Sequence, residues 1–77
     1  METGQRVLVV DDETSIRRYL RAALTAQGLK VYEAADGQEA LNAVLTNRPD
    51  LIILDLGLPD IDGIEVTRRL REWSRTP

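Results

Sequence analysis

Two short apolar runs break the polar background, and each ends in acid. Val7-Leu8-Val9-Val10 stops at Asp11-Asp12, and Leu51-Ile52-Ile53-Leu54 stops at Asp55. Short continuous apolar runs of this kind predict strands buried on both faces, as in a parallel sheet between helical layers. A third run, Leu29 to Ala34, holds Val31 and Tyr32 but alternates with Lys30 and Glu33. That alternation predicts a strand at the edge of the sheet.

Helical spacing fills the intervals. Ile16, Tyr19, Leu20, Ala23 and Leu24 fall on one face, with Arg17, Arg18, Arg21 and Gln27 elsewhere. Thr14 or the acidic pair before it can cap this helix, and Gly28 can end it. Asp36 followed by Glu39 has the spacing of a capping box, ahead of a face built from Ala40, Leu41, Val44 and Leu45. Asn47-Arg48-Pro49-Asp50 should end that helix, because the residue before proline is pushed out of the helical region. A last helix is marked by Ile64, Val66, Leu70 and Trp73, with Arg68, Arg69 and Arg71 as a solvated face. Asp60 and Asp62, between Pro59 and Gly63, read as turn and cap residues.

The predicted order is β-α-β-α-β-α, which with right-handed crossovers gives an α/β doubly wound parallel sheet. With strand order 2-1-3, strands one and three are neighbours. The 77 residues suffice for a single domain, 1–77, of marginal size. A net charge of −3 argues against direct nucleic-acid binding. The absence of cysteine and histidine removes disulfides, thiolate zinc sites and most nucleophilic or acid–base chemistry, so any metal must be held by oxygen. The strand-to-helix turns carry neither a dinucleotide fingerprint nor a Walker loop, which argues against an enzyme of the nucleotide class. No apolar run approaches the roughly 18 residues of a membrane helix, and the expected location is cytoplasmic.

Candidate chemistry lies at the strand ends, where open α/β sheets place their ligands. Asp11, Asp12 and Asp55 should converge there and repel one another. A divalent cation relieves that repulsion, and magnesium favours a few carboxylates completed by water and phosphate oxygens. A carboxylate is also a competent nucleophile toward phosphoryl groups once their charge is neutralised. A single aspartate after a strand is more often a turn residue or cap; two neighbouring strands ending in carboxylates favour the functional reading. Gly57 is read as permitting an unusual backbone angle or close approach to the ion. Glu13 is read as a first-turn helix residue in preference to an outer member of the acidic cluster.

Val-Leu-Val-Val-Asp-Asp-Glu, Ala-Asp-Gly-Gln-Glu-Ala-Leu and Asp-Leu-Ile-Ile-Leu-Asp-Leu-Gly-Leu-Pro-Asp-Ile-Asp-Gly, in this order, resemble the receiver domain of bacterial two-component response regulators. The wording at Ile16 to Leu20 and Leu56 to Pro59 is most similar to Kdp-type regulators of potassium uptake, in the OmpR/PhoB group. The resemblance implies a flavodoxin-like, CheY-like fold with its ligands at the strand ends. The resemblance implies that Asp55 is the phosphoacceptor, served by a sensor histidine kinase. It implies Mg2+ held by Asp12 directly, by Asp11 mostly through water, and by the carbonyl of Gly57. It also implies that the first helix contributes to kinase docking, and that DNA binding and transcription are controlled through an output domain. The family's fourth and fifth strands, with their Ser/Thr and Lys, have no counterpart in the sequence, so a truncated receiver is expected. The alternative expectation is a non-signalling half-domain that forms homo-oligomers through the apolar edge of its third strand.

Overall fold

The computed structural model describes residues 4–55, 57–72 and 76–77. Trp73, expected on the last helix, lies outside them. The elements are β1 (Arg6–Val10), α1 (Thr14–Thr25), β2 (Lys30–Ala34), α2 (Gly37–Asn47), β3 (Leu51–Leu54) and α3 (Gly63–Arg71). The strands form one parallel sheet in the order β2-β1-β3, with Val10 level with Ala34 on one side and Leu54 on the other.

The central strand is the driest part of the molecule. Val7 to Val10 are all buried, because β1 has a strand on each flank and helices on both faces. Leu8 and Val10 join Ala34, Leu41, Val44, Val66 and Leu70 in the larger core, beneath α2 and α3. Val7 and Val9 face the other way, into a small cluster with Val31 that is covered partly by Leu20 and Leu24 of α1.

Strand β3 departs from expectation. Its apolar run predicts burial on both faces, yet Leu51 is 43% exposed and Ile52, Ile53 and Leu54 are half-buried. The cause is position: β3 pairs only with β1 among the described strands. Its outer side is partly occupied, since the Ile52 N–H donates to the Pro77 carbonyl at 2.7 Å. A cleft of about 120 Å³ lies between β3 and α3, lined by residues such as Ile52, Leu54, Leu70 and Pro77.

Helix α1 is amphipathic as predicted, but none of its residues is buried. Leu20 and Leu24 are half-buried, whereas Tyr19 is 72% exposed. The expected caps are corrected too: Glu13 occupies the N-cap position, without a side-chain cap bond, and Thr14 is the first helical residue. Asp11 instead accepts the Glu13 N–H at 2.9 Å. The C-terminus follows the reading at Gly28, whose φ is 85°. Gly28 N–H donates to Thr25 O and Leu29 N–H to Leu24 O, the paired bonds of a Schellman stop.

Helix α2 begins as its sequence dictates. Asp36 accepts the Glu39 N–H at 2.8 Å, and the Glu39 carboxylate reaches back to the Ala35 N–H at 2.8 Å. It ends at Arg48, in the left-handed region at φ 49°, before a buried Pro49. Leu45, placed on the apolar face, is 63% exposed, because Ala40, Leu41 and Val44 already fill the contact with the sheet. In α3, Asp62 caps Ile64 N–H at 2.8 Å, and Val66 and Leu70 are buried. Ile64, expected among them, is exposed, since it points off that face.

Gly37, the first residue of α2, is required for steric reasons. A Cβ there would stand 2.9 Å from both Ile61 Cβ and Val66 Cγ2. Gly37→Ala is therefore expected to lower stability by about 1–3 kcal/mol, read as a shifted urea midpoint at unchanged slope. An unchanged midpoint would show that the loop at Ile61 yields freely.

Candidate functional site

The sheet itself builds the site. Its hydrogen-bond ladder continues one residue past the strands: Asp11 N–H donates to Ala34 O at 3.1 Å, and Asp55 N–H to Val10 O at 2.9 Å. Because β1 and β3 pair in parallel with Val10 opposite Leu54, Asp11 and Asp55 are the next opposing residues. The carboxylate oxygens of Asp11, Asp12 and Asp55 all come within 4.8 Å of one another. The sequence-predicted trio is thus brought together, with Asp11 and Asp55 half-buried and Asp12 exposed.

Two of the three carboxylates are aimed by the backbone two residues on. Gly57 N–H donates to Asp55 Oδ1 at 3.0 Å, as Glu13 N–H does to Asp11. Gly57 is exposed, and a Cβ there would meet only Asp55 Oδ1, at 3.7 Å. The reading of a special backbone angle at Gly57 is not borne out: among the described residues positive φ occurs at Gly4, Gly28 and Arg48. Gly57 gives its amide to the Asp55 carboxylate.

Two unit charges at such a separation repel by about 1 kcal/mol in bulk water and about 3–4 kcal/mol where the effective dielectric is near 20. A third anion adds to this, so the cluster is a strong acceptor for positive charge. Its donors are hard oxygens, the set that suits Mg2+, Ca2+ or Mn2+. The residues present therefore fit a divalent cation.

Asp60 has a larger role than the turn it was assigned. Its carboxylate accepts the N–H groups of Gly37 at 2.7 Å and Gln38 at 3.0 Å, and also that of Ile61. It fastens the loop that follows Asp55 onto the N-terminus of α2, where free amides and the helix dipole favour an anion. The Gly37 amide is the main cause holding the Asp60 carboxyl below its usual range.

Glu33 is held low as well, chiefly by its hydrogen bond from Arg21 and also by Arg17, against the opposing effect of burial. Glu65 is held lower still, at about 2, by Arg68 and Arg69 on the surface of α3. Exposed pairs of that kind add little to stability, so Glu33 is the better probe. A carboxyl depressed in the folded state contributes stability that is complete above its unfolded value and is lost as pH falls through the folded one. The chain is therefore expected to lose stability on acidification below about the ordinary glutamate value of 4.5. Glu33→Gln should flatten that slope in urea melts taken across the acid range. An identical slope in the variant would mean the pair is not coupled to folding.

Residues 7–77 match the family model described as the response regulator receiver domain. The chain belongs to that family. The receiver is similar to KdpE, the KDP operon transcriptional regulatory protein of Escherichia coli, with 58% identity over 71 residues. That match takes in 92% of this chain and 32% of KdpE, so the receiver spans about a third of this curated relative. The resemblance to Kdp-type regulators seen at residues 16–20 and 56–59 is borne out. Among solved structures, chemotaxis response regulator CheY4 of Vibrio cholerae superposes with a TM-score of 0.92 at 40% identity, covering 97% of this chain and 65% of that one. The receiver thus has a CheY-like fold, with its three strands in the order 2-1-3. TrrA of Thermotoga maritima, solved in complex with Mg2+-BeF, superposes with a TM-score of 0.84 at 41% identity, covering 88% of this chain and 59% of that one. TrrA has also been solved with the histidine kinase ThkA; that structure matches with a TM-score of 0.85 at 39% identity, over 92% and 61% of the two chains. Among the described residues of the receiver, no helix is long and apolar enough to cross a membrane.

Proposed function

We propose that the receiver accepts a phosphoryl group on Asp55 from the phosphohistidine of a sensor histidine kinase. An Asp55 oxygen forms a bond to phosphorus as the phosphorus–nitrogen bond breaks. The electron pair stays on the departing imidazole, and Asp55 becomes an acyl phosphate. Asp11, Asp12 and Asp55, with the carbonyl of Gly57, would hold Mg2+, which when bound neutralises charge on the phosphoryl oxygens. The Gly57 amide fixes the rotation of the Asp55 carboxylate.

One observation carries this reading: three carboxylates within 4.8 Å at the ends of two adjacent strands. The Mg2+-BeF and histidine-kinase complexes of TrrA support it for the ion and the partner. In the protein to which this receiver belongs, the modification would control transcription through a DNA-binding output domain, in the cytoplasm. Assembly through the β3 edge is the weaker reading, because the Ile52 N–H already has an acceptor in Pro77.

Acetyl phosphate supplies the test. Incubation with it and Mg2+ should add one phosphoryl group by intact mass, and chelation should suppress the gain. A chain that stays unmodified across a range of both reagents would overturn the proposal.

A further inference from the structure

Arg17 sits in the second turn of α1, on what the spacing assigned to the polar face. Its side chain is only 15% exposed. The guanidinium is engaged on every nitrogen. Nη1 donates to the Asp11 carbonyl at 2.6 Å, Nε to Glu33 Oε1 at 3.0 Å, and Nη2 to Thr14 Oγ1 at 3.2 Å. Glu33, on β2, is gripped from its other oxygen by Arg21.

The bond to Asp11 has a geometric consequence. The Asp11 carbonyl belongs to the rigid peptide plane that joins Asp11 to Asp12. That plane sets the direction in which Asp12 leaves the backbone, and it borders the α-carbon from which Asp11 projects. The sheet fixes the preceding plane through Asp11 N–H and Ala34 O, and the Glu13 amide fixes the Asp11 carboxylate. The 11–12 plane is held by Arg17.

We infer that Arg17 is a positioning residue for the acidic site: it pins the peptide between Asp11 and Asp12 so that both carboxylates face Asp55, with Glu33 orienting the guanidinium. The inference rests on the reading of these carboxylates as a Mg2+ site. A tie from α1 to β2 needs the Glu33 bond alone, since Thr14 lies on α1 itself. The bond to the Asp11 carbonyl goes instead into the backbone between two candidate ligands.

Charge gives the test its discrimination. A guanidinium close to a cation site opposes the cation, so simple removal of Arg17 mixes a gain with a loss. Arg17→Lys keeps the charge and loses the planar fork that makes three bonds at once. Outer-shell partners of metal ligands typically contribute about 10–100-fold to affinity, and Arg17 acts on backbone rather than on a carboxylate. The expected result is therefore about a tenfold rise in the Mg2+ dissociation constant, measured by titrating the full chain with magnesium chloride and following amide signals of residues 11–13 and 55–57. The Glu13 amide signal should also move in the metal-free variant, since its acceptor is Asp11.

Leu24→Ala loosens α1 without touching Asp11. It should lower the melting temperature yet leave the Mg2+ constant within about twofold. If Arg17→Lys does not fold, Arg17→Gln replaces it: weaker binding there, despite the lost positive charge, reports lost positioning, and the amide signals of residues 11–13 in the metal-free variant read the same peptide without the charge effect. Unchanged or tighter Mg2+ binding in Arg17→Lys, unmoved amide signals at residues 11–13 in metal-free Arg17→Gln, or an equal loss in Leu24→Ala, overturns the inference. Wild-type chain that binds no Mg2+ overturns the cation reading and this inference with it.

Discussion

Asp55→Asn should fold normally and take up no phosphoryl group. The carboxamide oxygen can still accept the Gly57 N–H that Asp55 Oδ1 accepts, so the loop after β3 keeps its local support. What disappears is the nucleophile, since an amide oxygen does not form a stable bond to phosphorus under these conditions. The change also removes one of three mutually repelling charges. Thermal stability in the metal-free state should accordingly be equal or slightly higher. Asp12→Asn separates the two roles, because it removes a candidate ligand and leaves the nucleophile. Phosphoryl gain should fall there but persist at raised Mg2+. Intact mass after acetyl phosphate reads the phosphoryl gain in both variants, and a thermal melt reads the stability of Asp55→Asn. Full modification of Asp55→Asn would place the acceptor elsewhere.

Leu8→Ala should be among the most damaging single truncations, at about 3–4 kcal/mol. Leu8 is 0% exposed and lies on the central strand, in the cluster closed by α2 and α3. Its packed surroundings cannot collapse into the space left behind, so a cavity term adds to the lost transfer energy. A chain of this size has roughly 4–12 kcal/mol of total stability, so the substitution removes a large part of it. Val9→Ala, on the opposite face, should lose less, about 2 kcal/mol. Fewer atoms are removed, and the α1 face has only partly buried neighbours such as Leu20 and Leu24 that can move in. Urea denaturation of both variants decides the matter. A larger loss at Val9 than at Leu8 would contradict the account of which face holds the core.

The sheet was legible because its information is local. An unbroken run at Val7–Val10, an alternating one at Leu29–Ala34 and the acids after two of the strands gave the element order, one edge and the acidic residues, while the strand order 2-1-3 came with the resemblance to receiver domains. Capping at Asp36 and Asp62 and the stop at Gly28 were legible for the same reason. Burial was less so, since it depends on what lies across a face. Tyr19, Leu45, Leu51 and Ile64 have the right spacing or strand context but no described neighbour to cover them. Arg17 and Asp60 were missed for another reason. Their decisive partners are far off in sequence or belong to the backbone: Glu33 and the Asp11 carbonyl for one, the amides of Gly37 and Gln38 for the other. Periodicity ranks a position as polar or apolar and carries no information on which distant amide a carboxylate will find. The glycine at position 37, directly after a capping aspartate, was the available hint of a close approach there.

The claim on which the rest depends is that two strand tips share one cation. Substoichiometric Mn2+, which broadens the NMR signals of nearby amides, tests it directly. Amides of residues 11–13 and 55–57 should broaden together at the same Mn2+ concentration and recover together when Mg2+ is added in excess. Broadening at only one of the two segments, or spread evenly over exposed acids such as Asp50 and Glu72, would contradict it.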